Sequence, residues 1–320
     1  MIPSCSIVIR AYNEERHIGR LLEGVAGQTI KDVQIILVDS GSTDRTLEIA
    51  SRYPVQVIGI RPQEFSFGRS LNLGIAETRS EVVVLASAHV YPVYPDWLEH
   101  LISGFSDVKT ALVYGRQSGA PTTHFSEHRI FHHWFPDQSI LHQTHPFCNN
   151  ANAAIRRSLW EHQPYNELLP GLEDLAWARR MFEQGFHIMY SAEAEVVHVH
   201  HETWRGVYNR YRREGMAFKT IYPQEHFGFG DFLRLLTVNV LDDWKAAARE
   251  KSLGKVWWNV VNFRYNQFLG TWHGYQQSGP LTWQLKQTFY YPRPPQTQTG
   301  KRPVQPIVYQ ETSSEAKQPK

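Results

Sequence analysis

Two adjacent acids, Glu173 and Asp174, open the segment LEDLAWARRMFEQG, in which Leu175, Ala178, Met181 and Phe182 fall on one stripe of a helix. Carboxylates at a helix start complement the dipole or cap the first turn; one of such a pair can also serve as general base toward a hydroxyl. A second acidic stretch, Asp39-Ser40-Gly41-Ser42-Thr43-Asp44, follows an apolar strand and opens another helix. Its backbone N–H groups suit an anion and its carboxylates can accept from a nucleobase or ribose, while Ser42 or Asp44 serves equally well as a helix cap. Arg69 carries a guanidinium able to fork onto phosphate oxygens. Asn72 can bond a nucleotide or brace the neighbouring loop. The run VVVLASAHVYP ends a strand on Ser87-Ala88-His89, and His198-Val199-His200-His201 ends another. Alternate strand residues share a face, so His198 and His200 point together. Neutral imidazoles are ligands for divalent cations, although most histidines are structural or surface residues.

These residues need a scaffold that gathers chain segments far apart in sequence. Strands are expected at 6–9, 33–38, 55–60 and 81–85, alternating with helices at 18–25, 43–53 and 69–78. Near-continuous apolar strands between amphipathic helices predict a mostly parallel sheet covered on both faces. In such sheets ligands bind at the carboxyl ends of the strands, where the polar loops 10–15, 39–44, 62–69 and 87–89 all fall. Further strands are expected at 111–114, 151–155 and 196–200, with a helix from 172 to 185. Only helices follow Glu202. The organisation expected is a donor-binding half (1–110), an acceptor and catalytic half of the same domain (111–220), a helical region (221–291) and a disordered tail rich in Pro, Gln, Thr, Ser and Lys (292–320).

With 320 residues, 42% apolar, the chain can bury a real core, and a net charge of +2 gives no overall field for nucleic acid. Cys5 and Cys148 are too few for a disulfide scaffold and fit a reducing compartment, each as a small buried side chain. The N-terminus has no charged leader before its apolar run, and no segment has the roughly 18 apolar residues needed to cross a bilayer. A cytoplasmic protein is expected. The segment from Leu253 to Phe268, with Trp257 and flanking Lys251, Lys255 and Arg264, is a candidate peripheral contact with the inner face of the plasma membrane. No G-x-G-x-x-G follows the first strand, which argues against a dinucleotide-dependent oxidoreductase.

Taken together, SIVIRAYNEE and DSGSTD resemble the N-terminal signature of the inverting glycosyltransferases of family 2, whose fold is the nucleotide-sugar-binding α/β sandwich called GT-A. The likeness continues through Phe67-Gly68-Arg69-Ser70-Leu71-Asn72-Leu73-Gly74 and Tyr114-Gly115-Arg116-Gln117, which are similar to elements of the bacterial rhamnosyltransferase-like branch. It extends through Asn149 to Arg157, Glu173-Asp174, the histidine-bearing strand and Tyr211-Arg212-Arg213-Glu214-Gly215, covering roughly residues 4 to 220.

The resemblance implies a nucleoside-diphosphate sugar as donor and a polysaccharide or glycolipid hydroxyl as acceptor. Asp39 would then receive the nucleobase, Glu14 would lie near base or ribose, and Tyr12 and Asp44 would line the same pocket, with Arg69, Asn72, Ser87 and Ala88 completing the donor site. Asp174 would be the general base, with Glu173 and Asn152 shaping the acceptor site. Much of the family carries Asp-x-Asp where this chain has Ser87-Ala88-His89, so His89 and His200 become the expected ligands of a divalent cation, Mn or Mg. Stabilisation of the departing diphosphate by Arg69, Arg212 or Arg213 is the metal-free alternative. The missing acids also leave room for a noncatalytic member that binds nucleotide sugar or organises an assembly complex.

Overall fold

The computed structural model describes residues 4–61, 64–200, 203–276 and 307. The chain builds β1 (Cys5–Ala11), α1 (Ile18–Ala26), β2 (Val33–Asp39), α2 (Thr46–Ala50), β3 (Val55–Gly59), α3 (Phe67–Ala76), β4 (Val82–Ser87), β5 (Val90–Pro92) and α4 (Trp97–Ser103). It continues with β6 (Thr110–Gly119), α5 (Phe125–Trp134), β7 (Asn152–Arg156), α6 (Arg157–His162), α7 (Glu173–Glu183), β8 (His187–His198), α8 (Trp204–Ile221), α9 (Phe229–Arg249) and α10 (Leu253–Tyr275).

All strands join one sheet in the order β3-β2-β1-β4-β7-β6-β8-β5. β1 pairs in parallel with β2 and β4, β2 with β3, and β6 with β8, whereas β7 is antiparallel to β4 and β6, and β5 to β8. Six strands therefore run in one direction and end on one edge. The sheet is continuous across residue 110, so the two halves expected on either side of it share one hydrogen-bonded scaffold. Ile7 and Ile9 face a core under α1 and α4, while Val8 faces the opposite core with Ile36, Leu71 and Trp177. Burial on both faces explains why β1 and β4 read as unbroken apolar runs.

α3 lies unusually close to the sheet at Gly74, where a Cβ would stand 2.4 Å from Val8 Cγ1. On the far side, α8 and α10 meet almost backbone to backbone: a Cβ at Gly274 would reach Arg212 O at 2.4 Å. That contact seats α8, whose arginines reach the strand ends.

Three expected elements changed length; the strand expected at 111–114 runs from Thr110 to Gly119. The helix expected at 43–53 is only Thr46–Ala50, because the Thr43 and Arg45 amides donate to Asn13 Oδ1 and Glu15 Oε2 in the loop after β1. The strand expected at 196–200 runs from His187 to His198 instead, and His200 lies past its end. Its first half carries His187, Tyr190, Ser191 and Glu193, which mask the alternation between buried and half-buried positions. The expected helical region holds α9 and α10; the expected tail lies outside the described residues except Ile307, whose amide donates to Val93 O at 2.8 Å.

Candidate active site

The strand edge opens into a cavity of about 450 Å3. Arg10 enters from the end of β1, Ser87 and His89 from the end of β4, Asn149 to Ala151 from the loop before β7, and Glu173 and Asp174 from the start of α7. His198 and His200 come from the end of β8, Arg210 and Arg213 from α8.

The carboxylate pair sits behind a kink. Leu172 adopts φ 54°, left-handed and unfavourable for a branched side chain, and so turns the first residues of α7 into the cavity. Glu173, buried, accepts from Arg10 Nη1 at 3.0 Å. Asp174 has no such cation among the described residues; it accepts from the backbone amides of Asn150 (3.1 Å) and Leu175 (2.8 Å). Burial, reinforced by the neighbouring Glu173 charge, pushes its carboxyl up to about 7. A carboxylate so placed takes a proton near neutral pH.

Three imidazoles converge in the same cavity. The ligand atoms of His89, His198 and His200 lie within 4.8 Å of one another, and the Nε2 atoms of His198 and His200 are 3.0 Å apart. Each ring meets an oxygen at Nδ1: Glu14 Oε1 at 2.7 Å for His89, Gln117 Oε1 at 2.7 Å for His198, and Glu127 Oε1 at 2.8 Å for His200. A carboxylate oxygen only accepts, so Nδ1 carries the hydrogen in His89 and His200, which leaves Nε2 as the ligand atom of each ring in its neutral form. Burial, then the surrounding His and Arg charges, lowers the His198 and His200 pKa values and keeps both rings neutral. Two facing nitrogen lone pairs repel unless a cation lies between them; nitrogen ligands of a tetrahedral ion at bonds of 2.0–2.1 Å stand roughly 3.3 Å apart. The set therefore fits a divalent cation, with each ring held from behind by an oriented acceptor. His198 completes what the sequence offered as His89 and His200, and its shared strand face was the signal for it.

Glu14 thus contacts the His89 ring. Ser87 lines the cavity, but Ala88 is fully buried in the core. Asp39 sits at the end of β2 outside this cavity; its Oδ2 accepts from the Gly41 and Ser42 amides at 3.0 Å, and its buried Oδ1 has no partner among the described residues. Tyr12 is 56% exposed beside it on the loop after β1. Asp44 is occupied locally: Oδ1 accepts from Thr46 N and Oγ1, Oδ2 from Glu15 N, tying the loops after β1 and β2 together.

Three expected ligand contacts become braces. Arg69 pairs with Glu167 at 3.3 Å, outside the cavity. Asn72 donates to Tyr165 O and Glu167 Oε1 and accepts from Trp160 Nε1 and Tyr165 N, which occupies its whole amide. Asn152, fully buried, accepts from Trp97 Nε1 and donates to the Arg116 and Ala194 carbonyls, so it spans strands and cannot reach an acceptor. Its neighbours Asn149 and Asn150 line the cavity in its place. Of the candidate diphosphate arginines, Arg213 lines the cavity. It lies over Phe67 at 4.9 Å from the ring centroid, as Arg10 does at 5.1 Å, and its Nε is buried without a partner among the described residues. Arg10 was not among the expected site residues; its place at the end of the first strand was the available clue.

Residues 6–163 match the profile described as glycosyl transferase family 2. The O-antigen chain rhamnosyltransferase WbaN of Salmonella anatum is 30% identical over 247 residues, 72% of this chain and 76% of its own. The corresponding RfbN of Salmonella typhimurium is 29% identical over 70% and 75%. Among solved structures, the mannosyltransferase PcManGT of Pyrobaculum calidifontis, in complex with GDP-Man and Mn2+, superposes with a TM-score of 0.59 at 16% identity over 87% of this chain and 89% of that one. S. aureus TarS 1-349, in complex with UDP-GlcNAc, superposes at 0.54 and 14% identity over 86% and 92%. The chain is a glycosyltransferase of family 2, of the branch that contains bacterial rhamnosyltransferases.

Proposed function

We propose that this glycosyltransferase works by a single inverting displacement, with Asp174 as general base. The observation that carries the reading is a buried carboxylate with a raised pKa and no ion-pair partner among the described residues, lining one cavity with three convergent imidazoles. An acceptor hydroxyl in that cavity gives its proton to Asp174 while its oxygen attacks the anomeric carbon, and the nucleoside diphosphate leaves from the opposite face. Configuration at that carbon inverts, and no covalent enzyme intermediate is needed. Glu173 holds Arg10 beside the cavity. Arg213 and Arg10 supply fixed positive charge toward phosphate oxygens as negative charge builds there. His89, His198 and His200 would hold the cation, Mn or Mg, which when bound supplies Lewis-acid stabilisation of the departing diphosphate. Three nitrogen ligands favour manganese or a later transition metal over magnesium.

Asp39 would take the nucleobase at its unpartnered Oδ1. The donor class is supported by GDP-Man and UDP-GlcNAc in the structural neighbours, and the rhamnosyltransferase relatives make a nucleoside-diphosphate rhamnose the first donor to test. The acceptor would be a growing surface polysaccharide or its glycolipid precursor. The deciding experiment incubates wild type and Asp174→Asn with a nucleotide-sugar panel and saccharide acceptors, and determines the anomeric configuration of the product by NMR. A retained configuration would sink the mechanism.

Work on lipid-linked acceptors at the inner face of the plasma membrane is supported by the outer surface of α9 and α10. Leu233, Leu241, Trp257 and Trp258 are exposed on these helices, as are Arg234, Lys245 and Lys255, whereas Arg264, expected to flank the contact, is buried and paired with Asp243 at 2.7 Å. No helix among the described residues is long and apolar enough to cross a membrane.

A further inference from the structure

We infer that a second cavity, reached past Asp174, holds one pyranose ring of the acceptor, with its faces on an aromatic wall and its hydroxyl edge on Gln117 and Glu127. The inference rests on the transferase reading of the first cavity and names where its acceptor lies. This cavity measures about 150 Å3 and shares Asp174, His198 and His200 with the first, so a ring inside it adjoins the proposed base. A void of about this size holds a six-membered ring. Phe131, Phe147, Tyr211 and Phe218 supply apolar wall.

Two polar atoms interrupt that wall. Gln117 is 2% exposed and Glu127 1%, and both line the cavity. Gln117 Oε1 is spent on His198 and Glu127 Oε1 on His200 and Arg210, but Gln117 Nε2 and Glu127 Oε2 are buried without partners among the described residues. One is a donor and the other an acceptor. Buried polar atoms are almost always paired, so an unpaired pair in an aromatic pocket points to an absent ligand with complementary groups. A prenyl chain would fill the volume and satisfy neither atom. A pyranose has C–H faces for the rings and hydroxyls that both donate and accept, which satisfies both. The residues that orient two of the three imidazoles would thereby also sense the acceptor.

Saturation-transfer NMR on the full chain tests this, with methyl α-L-rhamnopyranoside, methyl α-D-galactopyranoside and methyl α-D-mannopyranoside as ring probes and farnesyl phosphate as chain probe. The expected result is saturation of ring C–H protons of at least one glycoside, a Kd raised tenfold or more by Phe147→Ala and less than threefold by Phe147→Tyr, and no displacement by farnesyl phosphate. If Phe147→Ala does not fold, Trp134→Ala carries the same expectation, because Trp134 stacks on Phe147 at 3.8 Å between centroids. Absence of binding by all three glycosides, an unchanged Kd in the alanine variant, or displacement by farnesyl phosphate would overturn the inference. Binding of UDP, GDP and TDP is measured on the same samples. Failure of all three nucleotides removes the transferase reading of the first cavity, whereas nucleotide binding without glycoside binding removes only the acceptor pocket.

Discussion

Glu14 Oε1 stands 2.7 Å from Nδ1 of His89, across the gap between the loop after β1 and the end of β4. The contact occupies Nδ1 and leaves Nε2 as the open nitrogen of a ring whose ligand atom lies within 4.8 Å of those of His198 and His200, and a carboxylate acceptor behind a metal-binding ring raises its basicity. Glu14→Ala is therefore expected to weaken manganese binding about 10- to 100-fold, and Glu14→Gln, which keeps an acceptor oxygen, much less. Titration of Mn2+ followed by electron paramagnetic resonance reads this without any sugar donor. Equal affinity in wild type and Glu14→Ala would show that the ring needs no support.

Removal of the cation separates the imidazole centre from the arginines. EDTA is expected to suppress transfer and manganese to restore it, and His198→Ala should raise the manganese requirement as much as His89→Ala does. Ser87→Asp, on the cavity wall beside the same centre, is expected to tighten manganese binding by adding an anionic oxygen. If Arg10 and Arg213 suffice alone, EDTA will leave the rate intact and Ser87→Asp will slow it by placing a negative charge near the diphosphate.

Asp174 couples activity to stability with opposite signs. Its folded pKa, raised to about 7 by burial and by Glu173, lies above the ordinary 3.8, so between those values the folded protein binds more protons than the unfolded one. Stability from this group is present below the unfolded value and is lost as pH rises toward 7. The rate should do the reverse, falling below about pH 7 as the base is protonated. Asp174→Asn is expected to lower kcat at least a thousandfold and to stabilise the chain at pH 8 by on the order of 2 kcal/mol. Rate profiles and thermal melts at pH 5 and pH 8 check both halves, and a destabilised asparagine variant at pH 8 would mean that the carboxylate is structural.

Much of the scaffold could be read directly. Buried parallel strands are continuously apolar, so β1, β2 and β4 stood out, and the loops at their ends followed from topology. The acids of α7 and the histidines of β8 were also legible, because strand and helix periodicity place side chains by face. Asparagines were not. Asn72 and Asn152 carry groups that serve a ligand or a brace equally well, and only the geometry shows Trp160 and Trp97 already donating to them. Gln117 and Glu127 were invisible for a related reason: their importance lies in which distant rings they face, and sequence spacing carries no such information across 73 or 81 positions.

Asp39 offers a narrower test of the donor site. Its Oδ2 already accepts from two amides, so the free Oδ1 is the group left for a nucleobase. Asp39→Asn keeps the shape but presents either an NH2 group or a neutral oxygen. It is expected to weaken nucleoside diphosphate binding about tenfold, by roughly 1.4 kcal/mol, with little effect on manganese affinity. Calorimetry with UDP, GDP and TDP measures the loss and its dependence on the base. A loss of the same size for inorganic pyrophosphate would show that the residue acts through the fold instead.

The exposed rings of α10 give a prediction about location. Trp257 and Trp258 are 50% and 59% exposed, and neighbouring Lys251 and Lys255 add positive charge. Burial in a protein core would explain aromatic residues without their exposure, and solvation alone would explain lysines without the tryptophans. Together they match an interfacial surface, where indoles lie at headgroup depth and lysines meet anionic phosphate. The full chain is expected to float with vesicles containing phosphatidylglycerol at low salt and to be released as salt rises, since each lysine near such a surface contributes about 1 kcal/mol that is screened within a Debye length. Trp257→Ala with Trp258→Ala should abolish flotation while nucleotide binding persists, because neither side chain lines the cavity at the strand edge. Equal flotation of the double variant would assign binding to charge alone, and no flotation of the wild type at low salt would leave the exposed rings to a protein partner or a second copy.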